Sequence, residues 1–400
     1  MRTGALGYQR SMSGIDPVEL ARALVRRPSV TPADEGALDI VEAALKNLGF
    51  ACWRLPFEEE GEPRIDNLYA RWGDRSPNFC FAGHTDVVPT GPEELWARPP
   101  FAAIVADGSL WGRGAADMKG GIAAFIAAAG RAIAAGAATG SISLLITGDE
   151  EGPAINGTRK VLGWLKERNE AIDHCLVGEP SGYEALGDEI KVGRRGSMNC
   201  RLTVEGRQGH VGYPHRALNP VPALARMIVS LSETPLDQGY DQFQPSSLQV
   251  TDVEVGNPAQ NVIPGRASAR FNVRFNPCWK GAALEAHLRE KLDALARAAG
   301  VRYMLKAVIS GEAFLTRDEA FLALVADAAE ARTGRRARFS TTGGTSDARF
   351  IKDAAPVAEF GLLGSSIHQV NEHAPIADIE ALADIYADIL ARYFRTRSAA

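Results

Sequence analysis

The order of predicted strands and helices is the feature that most limits how this chain can fold. Apolar strand-like runs alternate with amphipathic helices up to about residue 195, and the same alternation returns from about residue 310. Strands alternating with helices are typical of a mainly parallel sheet covered by helices on both faces. The predicted strands of this α/β domain include NFCFAG at 78–83, SISLLIT at 141–147 and HCLVGE at 174–179.

Between these segments the pattern changes to the order βαββαβ, which is typical of a split βαβ, ferredoxin-like unit. Its predicted elements are, in chain order, 198–206, 219–232, 247–255, 267–275, 281–299 and 301–308. The sequence therefore predicts a discontinuous α/β domain, an inserted α+β domain and a short N-terminal extension that we expect to be disordered. Their predicted ranges are 16–195 with 310–400, 196–309 and 1–15, respectively.

Composition narrows the class of function. The chain has 44 Lys and Arg against 49 Asp and Glu, a net charge of −5, which argues against a general nucleic-acid binder. No run of about 18 apolar residues is present, so we expect no membrane span. We also expect no secretory signal, because the first residues lack an apolar segment. The five cysteines have no CxxC spacing, which favours reduced thiols in a cytoplasmic protein.

Potential metal ligands follow almost every predicted strand of the α/β domain. The candidate side chains are, in chain order, His84, Asp86, Asp117, Glu150, Glu151, Glu179 and His368. Because the carboxyl ends of parallel strands meet at one edge of a sheet, we expect these groups to converge. Imidazole and carboxylate together form a ligand set suited to Zn²⁺ or a similar divalent ion.

Each candidate alone also has a structural interpretation. A histidine at a strand end is usually packed or exposed, acidic loop residues are usually solvated, and Asp117 could cap the following helix. Repetition at successive strand ends favours the metal site. Five of the candidates exceed the four ligands of a closed tetrahedral site, which indicates two ions if one carboxylate bridges them; these five are His84, Asp117, Glu151, Glu179 and His368. Asp149, the first acid of TGDEEG, is predicted to be a solvated turn residue.

Nine motifs resemble those of the M20 peptidase and deacylase family of dinuclear zinc amidohydrolases. They are GHTDVVPTG, GRGAADMKGG, TGDEEG, VGEPS, GRRGS, GRQGHVGYPH, NVIPG, TTGGTSDARF and IHQVNEHA. The resemblance runs from about Asp16 to the C-terminal helix, and three motifs (GRRGS, GHVGYPH and GGTSD) point more narrowly to the desuccinylases of this family. It implies a zinc-exopeptidase-like fold and hydrolysis of N-succinyl-LL-2,6-diaminopimelate to succinate and LL-2,6-diaminopimelate.

The resemblance also implies a role for each matching ligand. His84 and Glu179 would hold one Zn²⁺, and Glu151 and His368 would hold the other. Asp117 would bridge them, and a cis peptide is expected after it. Each subunit would therefore hold two Zn²⁺, for which Co²⁺ would substitute.

The other carried-over roles concern proton transfer and substrate. Glu150 would be the general base, and Asp86 would polarise His84. His210 would reach the active site of a partner subunit and stabilise the oxyanion, so the inserted domain would form a homodimer interface. The predicted substrate contacts are Arg194, Ser197, Tyr213, Asn261, Arg274, Gly344 and Thr345. The arginines suit a substrate with several carboxylates. Four histidines are expected to be structural, namely His174, His215, His287 and His373.

One position departs from the family pattern. Gly364 in GSSIH stands where the better-known desuccinylases have an Asn that contacts substrate. Another M20 deacylase activity, such as that of an acetylornithine deacetylase or an N-acyl-amino-acid hydrolase, therefore stays open. A catalytically silent binding homologue would require a lost ligand or base. GRGAADMKGG also resembles a phosphate-binding loop, but it does not follow a strong strand in GxGxxG form.

Overall fold

The computed structural model describes residues 14–397, so nearly all of the extension predicted at 1–15 lies outside the described residues. The chain divides into two compact units. The first unit comprises the residues up to Val192, Thr316–Phe339 and the residues from Phe350 onward. The second unit comprises Gly193–Leu315 and Ser340–Arg349, the latter being a segment that the prediction places with the α/β domain. The predicted domain limits stay a proposal.

The strands and helices have the following bounds. The strands are β1 (Ala51–Arg54), β2 (Phe57–Glu59), β3 (Glu62–Ile65), β4 (Leu68–Trp72), β5 (Asn78–His84), β6 (Ile104–Ala106), β7 (Ser109–Trp111), β8 (Ser141–Thr147), β9 (His174–Val177), β10 (Glu189–Lys191), β11 (Gly193–Arg194), β12 (Gly196–Glu205), β13 (Gly209–His210), β14 (Ser247–Glu254), β15 (Val262–Ile263), β16 (Arg266–Phe275), β17 (Arg302–Gly311), β18 (Phe314–Leu315), β19 (Arg338–Ser340), β20 (Val357–Glu359) and β21 (His373–Pro375). The α-helices are α1 (Pro17–Val25), α2 (Ala37–Asn47), α3 (Gly120–Ala134), α4 (Thr158–Glu167), α5 (Pro220–Glu233), α6 (Gly281–Ala299), α7 (Glu319–Thr333), α8 (Ala348–Ile351) and α9 (Ile376–Arg397).

The first unit is built on an eight-stranded sheet with the order β1-β4-β8-β5-β9-β20-β10-β19. The four central strands, β8, β5, β9 and β20, are parallel. Strands β4 and β10 pair antiparallel on either side of them. Every residue of β5 and of β8 is buried, as expected for strands covered on both faces. The predicted α/β class is confirmed, with a sheet that is mixed around a parallel centre.

Helix α3 packs against this parallel centre. It is rich in Ala and Gly and is buried along most of its length. The ring of its Phe125 stacks on Phe79 and Phe81 of β5, with ring centroids 6.3 and 4.3 Å apart. Because α3 begins directly after the loop that carries Asp117, this packing fixes where that loop lies.

The second unit contains a four-stranded antiparallel sheet with the order β14-β16-β12-β17. Numbered within the unit and read from the other edge, this is the order 4-1-3-2 of a ferredoxin-like fold, as the βαββαβ pattern predicts. Inward-facing residues of β12 alternate with exposed ones, and Leu224 of α5 and Leu288 of α6 lie in the same core. Within residues 14–397, no helix combines the length and apolarity needed to span a membrane.

Candidate metal centre

The ends of the parallel strands bring three ligand candidates together. His84 is the last residue of β5 and is the register partner of Thr147 at the end of β8, three residues before Glu150. Strand β9 ends at Val177, two residues before Glu179. Since the strands run parallel and end at the same edge, the chain presents these side chains to one space. One ligand atom from each of His84, Glu150 and Glu179 lies within 4.8 Å of the others.

Asp117 lies between the two predicted histidine ligands. Its Oδ1 is 3.3 Å from His84 Nε2, and its Oδ2 is 3.2 Å from His368 Nε2. Each histidine also has a second carboxylate nearby. Glu179 Oε1 is 3.6 Å from His84 Nε2, and Glu151 Oε1 is 2.8 Å from His368 Nε2. One carboxylate therefore joins two histidine–carboxylate pairs, which is the arrangement that two adjacent ions sharing a bridging ligand require.

The polar atoms at the centre of this cluster suit a cation. His84 Nε2 and Asp117 Oδ1 are buried and lie 3.3 Å apart, but neither atom has a partner in hydrogen-bonding geometry among residues 14–397. Buried polar atoms are almost always satisfied, so this pair indicates a missing partner. A second group of ligand atoms, from His84, Asp117 and Glu151, also lies within 4.8 Å of one another. The residues present thus fit a metal ion bound by nitrogen and oxygen ligands.

Charge crowding perturbs the ionisable groups of the cluster. Burial, followed by the charges of Asp117 and Glu150, raises the pKa of Glu179 well above its usual value. Burial would also raise the pKa of Asp117, but the imidazoles of His368 and His84 outweigh it and lower that pKa. The hydrogen bonds to Asp117 and Glu151 raise the pKa of His368 to about 10. The imidazoles and carboxylates of the cluster therefore perturb one another's pKa values, as is typical of ionisable groups packed closely in a functional site.

Asp86 forms hydrogen bonds both to His84 and to the acidic turn, the turn that carries Glu150 and Glu151. The Asp86 main-chain carbonyl oxygen lies 2.9 Å from His84 Nδ1. A carbonyl can only accept, so Nδ1 carries the proton and Nε2 is left for a metal. The Asp86 carboxylate accepts the N–H groups of Glu150 and Glu151 at 3.3 and 3.0 Å, and it lies 3.6 Å from Nδ1. The predicted polarisation of His84 by the Asp86 carboxylate stays a proposal.

Asp149 differs from the sequence prediction. It is 2% exposed rather than solvated. Its carboxylate accepts the N–H groups of Ala154, Ile155 and Asn156 at 3.1, 2.8 and 3.0 Å. The side chain therefore closes the loop that follows the acidic pair, a contact that a local sequence pattern does not reveal.

We expect the substitution Asp149→Ala to reduce the free energy of unfolding by roughly 2–3 kcal/mol, because buried N–H groups would lose a charged acceptor. Urea denaturation measures this change. Glu167→Ala serves as the control, since the Glu167 side chain is 78% exposed, and it should change stability by less than about 0.5 kcal/mol. Equal stability of the two variants would contradict the role of Asp149.

The segment that carries Asp117 and Met118, directly before α3, is fixed on one side by packing. The cis peptide expected after Asp117 is present between Asp117 and Met118. Two glycines of the sheet make room for Met118: a Cβ atom would lie 2.6 Å from Met118 Cε if placed at Gly83, and 2.8 Å from it if placed at Gly178. Larger residues at these positions would displace the residue next to Asp117.

Glu372 and Arg113, to which the sequence motifs assign no role, contact the same segment. The Glu372 carboxylate accepts the N–H groups of Ala116 and Asp117 at 3.0 and 3.1 Å, and it accepts from Arg113 Nη1 at 2.7 Å. The available signal was an acid four residues after His368 in IHQVNEHA. A sequence motif does not reveal the role of this acid, because its partners are more than 250 residues away in the chain.

Four arginines gather in the second unit. Burial, followed by the charges of Arg195, Arg349 and Arg194, lowers the pKa of Arg274. Arg194 is buried and its Nη1 donates to the Thr342 carbonyl at 2.9 Å. The predicted contacts Arg194 and Arg274 therefore lie together, joined by two arginines that the sequence analysis did not assign. The doubled arginine of GRRGS and the arginine of TSDARF were the signals for them.

The remaining predicted substrate contacts fall into two groups within the second unit. Ser197 is the register partner of Arg274, and the Thr345 hydroxyl accepts from Arg349 Nη1 at 2.7 Å, so both residues lie by the arginines. Gly344 is exposed beside Thr345.

The second group surrounds His210. This residue is exposed, its Nδ1 accepts from the Gly212 N–H at 3.0 Å, and its ring centroid is 5.6 Å from that of Tyr213. Asn261 is adjacent, because its carbonyl accepts the Val211 N–H at 3.0 Å.

Comparisons with known proteins agree with this architecture. The chain is 58% identical over 380 residues to a succinyl-diaminopimelate desuccinylase from Rhodospirillum centenum, covering 95% of this chain and 97% of the relative. It is 56% identical to a protein of the same name from Maricaulis maris, covering 95% and 96% of the two chains.

Solved structures share the fold at much lower identity. Aminopeptidase PepT from Bacillus cereus has a TM-score of 0.78 at 19% identity, covering 94% of this chain and 98% of that one. A Bacillus subtilis protein described as a dinuclear metal binding peptidase from the M20 family has a TM-score of 0.71 at 16% identity, covering 95% and 98%. The sequence model of peptidase family M20/M25/M40 matches residues 80–392. The chain therefore belongs to peptidase family M20/M25/M40.

Proposed function

We propose that this chain hydrolyses the amide bond of N-succinyl-LL-2,6-diaminopimelate, giving succinate and LL-2,6-diaminopimelate. The observation that carries the proposal is Asp117, whose two carboxylate oxygens lie 3.3 and 3.2 Å from Nε2 of His84 and of His368. The relatives that share 54–58% identity with the chain carry the name of this activity. A catalytically silent homologue is set aside, because every predicted ligand and the predicted base are present.

The proposed metal content is two Zn²⁺ per subunit, with Co²⁺ as a substitute. His84 and Glu179 would hold one ion, Glu151 and His368 the other, and Asp117 both. When bound, the ions would polarise the amide carbonyl and make water a stronger nucleophile at neutral pH.

The chain's own residues would handle the proton and orient the ligands. Glu150 would accept a proton from the attacking water and return it to the leaving amine. Asp86 would keep the acidic turn in place through the N–H groups of Glu150 and Glu151, which lie 3.3 and 3.0 Å from its carboxylate oxygens. His210 would stabilise the charge that develops on the carbonyl oxygen.

The arginines support a substrate that carries several carboxylates. Arg194, Arg195, Arg274 and Arg349 lie close enough for their charges to lower the pKa of Arg274. Guanidinium groups bind carboxylates through two hydrogen bonds, so a group of arginines suits a substrate with more than one carboxylate. Ser197, Thr345, Gly344, Tyr213 and Asn261 complete the proposed contacts.

A homodimer formed by the second unit is part of the proposal. His210 is exposed on that unit, where it is available to a second subunit. Exposed apolar side chains on this unit support an interface. Val211 and Tyr213, which are close to His210 in sequence, are 46% and 54% exposed. Val229 of α5 and Val253 of β14 are 50% and 55% exposed. A cytoplasmic location is also proposed, because all five cysteines are free thiols.

Because Gly364 departs from the family pattern, a different M20 deacylase activity is the alternative function. A Cβ atom at this position would meet its nearest neighbours at 3.7–3.8 Å, which is ordinary contact. The space around a Cβ atom therefore does not require glycine at this position. An N-acetylated substrate such as N-acetylornithine lacks the distal carboxylate of the succinyl group, so the two activities are separable by assay.

The test is hydrolysis of N-succinyl-LL-2,6-diaminopimelate and of N-acetylornithine by the purified chain loaded with Zn²⁺. We expect turnover of the succinyl substrate, at least about 100-fold lower kcat/KM for the acetyl substrate, since a carboxylate-binding site would be left unpaired, and loss of both rates with a chelator. Zn²⁺ added back should restore activity. Preference for the acetyl substrate would overturn the proposed substrate assignment. Full activity in the presence of the chelator would overturn the proposed metal dependence.

A further inference from the structure

Glu372 occupies a position between two segments that carry ligand candidates. It is fully buried and follows His368 by four residues. Its Oε1 accepts the N–H groups of Ala116 and Asp117 at 3.0 and 3.1 Å. One carboxylate oxygen thus binds the backbone of Asp117 itself, while the chain of Glu372 leads directly to the His368 loop.

The backbone around Glu372 joins the same two segments. The Glu372 carbonyl accepts the N–H of Gly112 at 2.9 Å. The next residue, His373, begins β21, which pairs with β7 through His373 and Trp111. The chain after His368 is therefore attached to the chain before Asp117 by main-chain and side-chain hydrogen bonds together.

Arg113 prevents the Glu372 carboxylate from turning away. Arg113 is 2% exposed, and its Nη1 lies 2.7 Å from Glu372 Oε2. Its Nη2 donates to the Pro89 carbonyl at 3.2 Å, and its guanidinium lies 5.3 Å from the centre of the Trp96 ring. With Oε2 held by the arginine, Oε1 is left to face the N–H groups of the Asp117 segment.

The His368 loop needs such an anchor. His368 and Asn371 have φ values of 60° and 65°, in the left-handed region that few residues other than glycine adopt, although His and Asn do so more often than most. The loop also closes on itself, since the Ser366 hydroxyl donates to the His373 carbonyl at 2.9 Å. A loop with two residues in this uncommon conformation depends on its surrounding contacts to keep it.

We infer that Glu372 is a positioning residue that fixes Asp117 and His368 relative to each other and so sets the geometry of the metal centre. The inference rests on the metal centre of the proposed function. Residues that orient ligands from outside a metal site commonly change metal affinity by about 10–100-fold when they are replaced.

The test compares Glu372→Ala with the wild type by titration of Zn²⁺ against a competing chelator and by the absorption spectrum of the Co²⁺-loaded protein. Glu372→Ala should bind Zn²⁺ about 10–100-fold more weakly and change the Co²⁺ spectrum. Glu372→Gln should recover part of the affinity, because its amide oxygen still accepts from both N–H groups. Glu170→Ala is the matched control: it removes a partly buried acid that binds Tyr69 and Arg71, and it should lower thermal stability without changing Zn²⁺ affinity.

Native Zn²⁺ affinity and an unchanged Co²⁺ spectrum in Glu372→Ala would overturn the inference while leaving the proposed function intact. A wild-type chain that binds neither ion would overturn both. If Glu372→Ala does not fold, Glu372→Gln and Arg113→Met decide the question. Both should weaken Zn²⁺ binding, and native affinity in both would overturn the positioning role.

Discussion

Replacing Glu150 by Gln is expected to leave the bound metal unchanged and to reduce kcat by about 10²–10⁴-fold, the usual contribution of a general base. Glu150 precedes Glu151, whose Oε1 lies 2.8 Å from His368 Nε2, so one turn of backbone brings a candidate base beside a candidate ligand. The Glu150 carboxylate also lies within 4.8 Å of ligand atoms of His84 and Glu179. Its position therefore suits proton transfer in the proposed site.

The same position makes Glu150 a candidate ligand, and the experiment separates the two roles. Metal content by elemental analysis and kcat by steady-state assay are measured on Glu150→Gln and on Glu167→Gln, whose side chain is exposed on α4. The control should match the wild type in both quantities. Loss of about one metal per subunit in Glu150→Gln would assign Glu150 as a ligand, and a kcat near that of the wild type would exclude it as the base.

The regular elements of this M20 hydrolase could largely be predicted from local sequence. Strand β8 was predicted at 141–147 and helix α6 at 281–299, and both have these bounds in the structure. Long apolar or amphipathic runs gave these signals. The exact start of a helix is harder to predict: α2 begins at Ala37, after Gly36, which adopts a left-handed conformation with φ 78°. The short strands β1 and β2 were missed, since their partly exposed residues carry no continuous apolar run.

The ligand cluster was predictable for a different reason. Parallel strands impose a common edge, so residues that follow strands can be placed together without knowing any contact between them. Contacts that depend on a loop bending back on itself, or on residues far apart in sequence, cannot be placed in this way. Asp149 illustrates the limit, because its exposure depends on N–H groups five to seven residues later that bend back to it. Glu372 illustrates it further, since only the folded chain brings it to Asp117.

Asp117→Ala should have the other large effect, because it removes a carboxylate that contacts both histidine–carboxylate pairs of the cluster. Its Oδ1 and Oδ2 lie 3.3 and 3.2 Å from Nε2 of His84 and His368, respectively. We expect the variant to lose most of both metals. Loss of several kcal/mol of electrostatic stabilisation then reduces kcat/KM by about 10³-fold or more. Asp117→Asn should lie between Ala and the wild type, since the amide nitrogen cannot bind a cation and one side keeps its oxygen.

Metal content and kcat/KM of both Asp117 variants are compared with those of Asp318→Ala, which offers a matched acid–histidine pair. Asp318 Oδ2 lies 2.9 Å from His174 Nε2 in the same unit, and the Asp318 side chain caps α7 through the Phe321 N–H. The control should lose stability and keep its metals, because neither Asp318 nor His174 belongs to the cluster. If Asp117→Ala retained two metals per subunit, the bridging role would be wrong. If it lost one and kept the other at native affinity, Asp117 would be a ligand to a single ion, and the two halves of the cluster would bind independently.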